Sequence, residues 1–471
     1  MRRPFNLQAS LLRKSDLAPG TVLLRKQEPR VPSAAPAALG SCLRRNTSLL
    51  LRLVGLLASG MLATPLAAQP IAIIHARAWT MQSATPLDDA TIVVDNGRIV
   101  SVAAGAPAPA GAKVIDAAGR IVTPGVMNGA TQVGLTEVSS ADDTHDAAAT
   151  GEAFGAAFDV SPALNGNSAL VDLARADGMT RGLSYPSASE VAPFSGQAAT
   201  IRLRDGADIL DKPRVALFAV IGGNAWRKTA ASRAAQWNLL RAALDEAKQP
   251  GPPPAEGAVL NRRDVVAVRQ VLAGTIPLAI MTNRESDIRA AIRLAGDYHV
   301  RVVIVSGAEA WRAAPELAAA HIPVVLDPVA NLPNTFDQLG TRQDNAVILA
   351  KAGVTIAFGR AGGVLEENYN AGIAMREGAG IAVSNGLPYA EALKAITTSP
   401  MAIWRGSGPG VPTGAIAPGQ DTDLVVWDGD PLEPSTNAVA MLVEGKQVSL
   451  DTRQDMLARR YRDVAATSVQ P

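Results

Sequence analysis

The chain reads VRVVIVSG at residues 300–307, AEAWRAAPELAAAH at 308–321 and IPVVLDP at 322–328, and this succession decides the fold. The first and third segments are continuous apolar runs of strand length, whereas the second has the spacing of an amphipathic helix. The same alternation extends outward from PLAIMT at 277–282 to VTIAFGR at 354–360. Buried strands that alternate with helices indicate βαβ units and a parallel sheet. An interior of about 280 residues built in this way favours a TIM-like (β/α)8 barrel over an open sheet.

Two β-rich regions flank this interior. TIVVDNGRIVSV at 91–102 contains an Asn-Gly pair, which is typical of a tight hairpin turn, and AVAMLVEGKQVSL at 438–450 has the same character. We expect both chain ends to pair in one small β-sandwich domain, which gives an α/β fold class overall. The predicted boundaries are an N-terminal extension and signal peptide at 1–68, sandwich parts at 69–124 and 406–455, a barrel at 125–405 and a tail at 456–471.

The first 68 residues have the pattern of an export signal. Arg44 and Arg45 precede an apolar run from Leu49 to Ala63, and small residues follow up to Ala68. A basic stretch, a short apolar core and a small-residue exit are typical of a secretory signal peptide. The run is shorter than the ~20 residues of a membrane span, although an uncleaved N-terminal anchor is the alternative. The sequence therefore predicts a periplasmic or secreted protein with no membrane association after cleavage.

Charge and cysteine content limit the partners of the mature chain. Removal of residues 1–68 takes away ten of the 44 Lys and Arg residues and two of the 43 Asp and Glu residues, which leaves a net charge of −7. No basic stripe remains, so nucleic acid is excluded as an expected partner. The single cysteine, Cys42, leaves with the signal. A mature chain without cysteine needs no oxidation machinery and suits the periplasm.

Three motifs resemble the amidohydrolase superfamily. VIDAAGRIVTPGVMNGATQVGL at 114–135 is similar to the signature Ile-Asp-x-x-Gly-x-x-Val-x-Pro-Gly-Leu-Ile-Asp, which Ala-His-x-His follows in that family. GAIAPGQDTDLVVWDGDP at 414–431 resembles the matching C-terminal signature, and EALKAITTSPMAI at 391–403 resembles the helix before it. The resemblance covers about residues 70–450 and is greatest to the imidazolonepropionase-like branch. It implies a barrel with a small sheet domain, which agrees with the pattern of segments.

The resemblance also implies one or two divalent metals, typically zinc, that activate water for hydrolysis of non-peptide C–N bonds. At the positions of the family's metal ligands, however, this sequence has other residues: Ala130 and Gln132 after strand 1, Met281 and Asn283 at strand 5, Ser306 at strand 6, and Ala361 after strand 8. Gly223 takes the place of a further acid. Ala and Met cannot ligate such a metal, and neutral amides and hydroxyls are weak donors. We therefore expect the family metal to be absent.

A relocated catalytic site is the alternative to lost activity. His145 lies in EVSSADDTHDAAA at 137–149, in the loop after strand 1, with Asp142 and Asp143 nearby. A histidine beside carboxylates can hold a cation or act as an acid/base pair, although such a cluster is more often a solvated loop. His75, His299 and His321 are expected to be surface or packing residues, because they lie outside the face where barrels of this fold carry their active sites.

Neutral polar residues are expected to line the mouth of the barrel. They are Asn128, Gln132, Thr282, Asn283 and Ser306, with Arg360 as a cation. Such a lining can bind a small polar ligand without turning it over, although solvated strand ends are the alternative. The sequence thus predicts an amidohydrolase-like pseudoenzyme that binds a ligand or acts as a partner subunit. The expected partner is a second copy, or a homologue that retains its metal ligands.

Overall fold

The strands of the described chain form two eight-stranded sheets. The structure is a computed structural model that describes residues 69–138, 141–149, 154–188, 193–222, 232–251, 257–330, 332–360, 369–406, 410–421 and 423–467. The predicted signal peptide lies outside these ranges. Within them, no helix is long and apolar enough to cross a membrane.

The first sheet joins the two ends of the chain. Its strands are β1 (Ile71–Ala78), β2 (Leu87–Asp95), β3 (Arg98–Ala104), β4 (Lys113–Asp116), β5 (Ile121–Pro124), β14 (Asp423–Trp427), β15 (Ala438–Val443) and β16 (Lys446–Gln447). Their order is β16-β15-β14-β5-β1-β2-β3, with β4 also paired to β1. Antiparallel pairing of β5 with β14 brings the two ends together, as expected. All eight strands belong to one continuous sheet. The structure therefore supports the expected β-sandwich domain only in part, as a sheet built from both chain ends.

The predicted hairpin turns occur where the sequence placed them. Asn96 and Gly97 both have positive φ, and so do Glu444 and Gly445. Residues in this left-handed region match the twist of the flanking strands, which is why Asn-Gly pairs are favoured there. The two turns meet, because a Cβ on Gly97 would lie 3.1 Å from the carbonyl oxygen of Glu444.

The second sheet is the barrel. Its strands are β6 (Val126–Thr131), β7 (Met179–Ser184), β8 (Gly196–Arg202), β9 (Leu210–Val220), β10 (Leu278–Thr282), β11 (Val302–Ser306), β12 (Val324–Leu326) and β13 (Ile356–Phe358), and they lie side by side in sequence order. The first and last strands come within contact distance, since a Cβ on Gly129 would lie 2.7 Å from the carbonyl oxygen of Phe358. The sheet is therefore nearly closed, as in a TIM-like barrel.

One strand departs from the regular (β/α)8 pattern. β8 runs antiparallel to both β7 and β9, whereas β9 to β13 are parallel. The chain reverses between β8 and β9 at a turn that contains Gly206, whose φ is +97°. A hairpin needs only a short connection, whereas parallel strands need a crossover of a dozen residues or more. The expectation of eight regular repeats is therefore corrected at this hairpin.

Helices pack against the strands of the barrel, as the sequence predicted for residues 277–360, whereas the described side chains of the last helix are all exposed. Their bounds are α1 (Ala169–Ala176), α2 (Arg233–Lys248), α3 (Arg262–Leu272), α4 (Glu285–Tyr298), α5 (Ala314–Ala319), α6 (Asn345–Lys351), α7 (Ile373–Ser384), α8 (Tyr389–Ala395), α9 (Thr398–Arg405) and α10 (Arg453–Thr467). In α4, Ile288, Ala291 and Leu294 are buried at helical spacing and pack in the core between helices and strands. This spacing is the signal that made the helix predictable.

Candidate binding site at the mouth of the barrel

The carboxyl ends of the parallel strands meet at one edge of the barrel, which we call the mouth. The register of the strands places Thr282 opposite Ser306, Ser306 opposite Leu326, and Leu326 opposite Phe358. The residues that follow these positions therefore lie near one another. Active sites of such barrels are built from these strand ends and the loops after them.

Two of the positions where a metal-binding relative is expected to have histidine lie in an apolar lumen. Ala130 is fully buried in a cluster that includes Phe218 and Val305, and Met281 packs against the same cluster. Alanine has no donor atom, and a thioether is a soft ligand that zinc sites rarely use. The donor set on this side of the lumen does not fit a zinc ion.

The remaining positions carry neutral polar groups. The Gln132 amide is buried and donates a hydrogen bond from Nε2 to Ser187 Oγ at 2.8 Å. Ser306 is half-buried at the end of β11 and has a φ of +77°, which is unusual for a residue with a side chain. Ala361 and Gly223 lie outside the described residues. In the described part of the chain, no three His, Cys, Asp or Glu side chains gather in a group that could hold a metal ion.

Asn128 acts as a structural clamp. Its side chain is fully buried, and Nδ2 donates to the carbonyl oxygen of Ala371 at 3.0 Å. Its Oδ1 accepts from the backbone N–H groups of Ala130 at 3.1 Å and Arg360 at 3.4 Å. These bonds tie β6 to the end of β13 and to the segment before α7. The amide of this predicted binding residue is thus engaged within the protein.

Asn283 likewise fixes the chain at the mouth. Its Oδ1 accepts from the backbone N–H of Ala308 at 3.2 Å, and its carbonyl oxygen accepts from Glu309 N at 2.9 Å. Asp287, one turn into α4, is buried and accepts from Trp237 Nε1 at 3.1 Å. Asp287 therefore anchors α4 to α2.

An ion pair that the sequence analysis missed lies at the ends of β12 and β13. Arg360 Nε is 4.0 Å from Oδ2 of Asp327, which accepts from Val329 N through Oδ1 at 3.0 Å. Burial raises the pKa of Asp327, while the charge of Arg360 opposes that rise. The signal was available in IPVVLDP, where an acid directly follows a buried strand. Arg360, a predicted residue, is thus paired with an acid that was not predicted.

Two adjacent cavities lie at the mouth. The larger, which we call the cleft, measures about 920 Å³ and is lined by residues of β9 and β10 and of the loop after β12, among them Val220, Met281 and Phe336. The smaller, which we call the chamber, measures about 90 Å³ and lies between the ends of β11 and β12 and α6. The cleft and the chamber share Asn283, Ser306 and Gln338 as lining residues. Asp327 and Asn345 line only the chamber.

The His145 region forms a small turn in the loop after β6. A short 3-10 helix spans Asp142–Thr144, and His145 forms an isolated β-bridge with Thr136. One ring nitrogen of His145, Nε2, lies 3.1 Å from the carbonyl oxygen of Val138, and the side chain of Asp143 is exposed. The side chain of Asp142 lies outside the described residues. Among the described side chains, no contact between His145 and a carboxylate supports an acid/base pair.

The other three histidines lie away from the mouth. His75 is in β1 of the first sheet, where Nδ1 is 3.0 Å from Asp116 Oδ1 on the surface. His299 and His321 follow α4 and α5 in left-handed backbone conformation, at the amino ends of β11 and β12. They are exposed at the opposite end of the barrel, as the sequence analysis expected.

No family model matches the sequence, and no curated protein does. Solved structures, in contrast, are similar in fold. An amidohydrolase from Thermotoga maritima MSB8 superposes with a TM-score of 0.71 and 23% identity, over 80% of this chain and 99% of that one. A prolidase complexed with N-methylphosphonate-L-proline gives 0.52 and 18%, over 81% of this chain and 100% of its own.

The structural neighbours of this chain are thus amidohydrolase-superfamily proteins. The likeness extends over nearly the full length of each of them, so it includes both the barrel and the sheet built from the chain ends. At these identities it establishes the fold, and the chemistry must be argued from the residues at the mouth.

Proposed function

We propose that this chain is an exported amidohydrolase-like protein of the imidazolonepropionase-like branch that lacks metal-dependent hydrolysis. In this proposal it binds a small polar ligand at the mouth of the barrel or serves as a partner subunit. The fold supports the hydrolase-family resemblance, because the structural neighbours are amidohydrolases.

The observation that carries the proposal is the chemistry of the strand ends. Ala130 and Met281 line an apolar lumen, and the Gln132 amide is already bonded to Ser187. Hydrolysis in a metal-dependent site requires water whose pKa the metal lowers toward about 7. Side chains without suitable donor atoms cannot hold that metal. The cleft and the chamber remain large enough for a ligand.

Elemental analysis of the purified mature protein tests the loss of metal. We expect well under one equivalent of zinc, iron, nickel or manganese, and no turnover of amide, lactam or ester substrates above background. As a control for a relocated site, His145→Ala should leave this background unchanged. A stoichiometric metal that survives dialysis, or turnover that His145→Ala or Asp143→Asn abolishes, would overturn the proposal in favour of an active hydrolase.

Export and partnership follow the same proposal. N-terminal sequencing of the native protein should begin at or near Gln69, whereas full-length protein in the cytoplasm would contradict export. We propose that the protein associates through its outer helices with a second copy, or with a homologue that keeps its metal ligands. Light scattering and pull-down from the native host should detect one of these. A strictly monomeric protein with no homologue bound would leave the ligand-binding form of the proposal.

A further inference from the structure

The chamber contains a buried acceptor whose orientation is fixed by chemistry. Asn345, the first residue of α6, is 8% exposed. Its Nδ2 donates to the carbonyl oxygens of Gly307 at 3.0 Å and Ala308 at 3.4 Å. Because only the amide nitrogen can donate to carbonyls, Oδ1 must point the other way. Among the described groups, none donates to this Oδ1. A buried acceptor in this state favours a hydrogen-bond donor from outside.

Asp327 adds an incompletely compensated charge to the same chamber. Its Oδ1 accepts from a backbone N–H, but Oδ2 is 4.0 Å from Arg360 Nε, which is too far for a hydrogen bond. The guanidinium that lines the chamber belongs to Arg342, whose Nε and Nη2 both donate to the carboxylate of Asp344. The charge of Arg342 is therefore already neutralised. Burial raises the pKa of Asp327, which shows that its surroundings do not fully stabilise the carboxylate.

Polar side chains and apolar residues such as Leu326, Pro328 and Ala346 line the rest of the chamber. Ser306 contributes a hydroxyl, and Gln338 Oε1 already accepts from Asn334 N at 3.1 Å. A volume of about 90 Å³ has room for a few water-sized atoms but not for a ring. A compact group with several N–H donors and a positive charge meets all of these conditions.

The cleft supplies room for the rest of such a ligand. It shares Asn283, Ser306 and Gln338 with the chamber. Its lining includes Met281 and Phe336, which is 88% exposed, and also Arg284 and Arg233, which pairs with Asp337. An exposed aromatic ring beside a cavity provides apolar contact for a ligand body. The two cavities together therefore fit a molecule with an apolar body and a small polar head.

We propose that the chamber binds the ammonium head of a small primary amine whose apolar body lies in the cleft. Three N–H donors of an ammonium group match Asn345 Oδ1, the Asp327 carboxylate and the Ser306 hydroxyl. The proposal rests on the ligand-binding function proposed above and specifies the class of ligand. It uses Ser306, which occupies one of the positions of the family's metal ligands, but neither Ala130 nor Gln132.

Calorimetric titration with benzylamine, benzyl alcohol and ammonium chloride tests the proposal. The first two probes have the same shape and differ in the charged head, whereas ammonium chloride has the head without the body. We expect benzylamine to bind at least about tenfold more tightly than either. If benzyl alcohol binds as tightly as benzylamine, the chamber does not recognise an ammonium head. If ammonium chloride binds as tightly as benzylamine, the cleft does not bind an organic body.

Variants locate the binding. Asp327→Asn, which is nearly isosteric, and Asn345→Ala should each weaken benzylamine by at least about tenfold, because the first removes a negative charge and the second removes a buried acceptor. Phe336→Ala should weaken benzylamine but leave ammonium chloride unchanged. The matched controls are Asp297→Asn and Asn385→Ala, which lie outside both cavities and should bind as the parent does. Since Asn345→Ala also frees two carbonyls, its thermal midpoint must be measured, and Asp327→Asn decides the result if that variant unfolds.

The outcomes separate this inference from the function on which it rests. Benzylamine that binds equally to the parent and to Asp327→Asn would overturn the ammonium site while leaving a ligand site at the mouth. No binding of benzylamine at all would overturn the inference. The loss of metal-dependent activity is decided by metal content, which none of these titrations measures.

Discussion

Asn128 holds three parts of the barrel mouth together through one buried side chain. We expect Asn128→Ala to lower the free energy of unfolding by about 3 kcal/mol, because it leaves the carbonyl oxygen of Ala371 and two backbone N–H groups without this partner. Urea denaturation followed by circular dichroism measures the change. Asn437→Ala is the matched control: its amide is exposed and contacts Asp428, so the variant should stay within about 0.5 kcal/mol. Equal effects of the two substitutions would show that Asn128 is no clamp.

Asp327 should make stability depend on pH. Burial raises its pKa, Arg360 opposes the rise and Glu377 adds to it. A carboxyl whose folded pKa exceeds its unfolded value binds its proton more tightly in the folded state. The stabilisation of the fold by the protonated Asp327 carboxyl is therefore complete below about pH 4, and it is lost as pH rises through the folded pKa.

Asp327→Asn removes this dependence. We expect the difference in free energy of unfolding between variant and parent to move in favour of the variant as pH rises from about 4 to 7, by about 1.4 kcal/mol for each pKa unit of upward shift. Thermal scans at several pH values measure it. Asp344→Asn is the control, because Arg342 lowers the pKa of the exposed Asp344 carboxyl, so the dependence should have the opposite sign and occur below about pH 4. A pH-independent difference for Asp327→Asn would contradict the assignment.

Among the structural elements, the turn between α1 and β7 depends on a single glycine. Gly178 has a φ of +91°, and a Cβ there would lie 2.0 Å from Cη2 of the buried Trp427 ring. The turn thereby packs the barrel directly on β14. We expect Gly178→Ala to cost about 3 kcal/mol or more, because overpacking adds to the cost of the left-handed backbone.

Gly353→Ala separates the cost of overpacking from the cost of the left-handed backbone. Gly353 also has a positive φ, +85°, but nothing lies within 4 Å of its Cβ position. We expect a cost of about 1–2 kcal/mol there, from the backbone alone. Both variants can be measured by urea denaturation under the same conditions. If the two variants lose equal stability, the close approach of Gly178 to Trp427 does not contribute to the free-energy cost of Gly178→Ala.

The elements that the sequence predicted are those with local signals. β10 to β13 are short apolar runs next to amphipathic helices, and their bounds agree with the segments quoted from 277–360. β8, in contrast, reads GQAATIR, and all seven residues are buried although two are polar and one is charged. Its direction depends on a turn and on two neighbouring strands. Periodicity in the sequence carries no information on such non-local pairing.

The candidate site was predictable only in part for the same reason. The motif around Pro124 gave the positions of Asn128, Ala130 and Gln132, because a strand end can be counted along the chain. It could not show that the Asn128 amide is already hydrogen-bonded to backbone groups. Nor could it predict that Asn345 lines the chamber, since α6 reaches the end of β11 only through tertiary packing.

On the scale of the whole molecule, a buried charge network joins the barrel to the sheet built from the chain ends. Arg181 of β7 and Arg202 of β8 both donate from Nε to Asp423 Oδ2 at the start of β14, and Glu444 N donates to Oδ1 at 3.1 Å. Both guanidiniums and Asp423 are buried. Burial alone would lower the pKa of Arg202, but Asp423 and the hydrogen bond to Glu444 outweigh it and raise that pKa.

Removing Asp423 leaves two buried guanidiniums with Asp421 as their remaining common partner. Breaking a buried ion pair in this way costs about 3–5 kcal/mol, much more than the pair contributes relative to apolar side chains. We therefore expect Asp423→Ala to lower the free energy of unfolding by this amount and to do so for the barrel and the terminal sheet together, because both arginines belong to the barrel. Urea denaturation followed by both tryptophan fluorescence and circular dichroism measures it, with coincident transitions expected.

The control must also remove an aspartate that pairs with arginine. Asp451 lies 2.7 Å from Arg459 on the surface, where water screens the pair, so Asp451→Ala should leave the urea midpoint unchanged. If Asp423→Ala behaves like this control, the network does not couple the two sheets. If its two probes give separate transitions, the network is needed for cooperative unfolding, and the pairing of β5 with β14 alone does not make the sheets one unit.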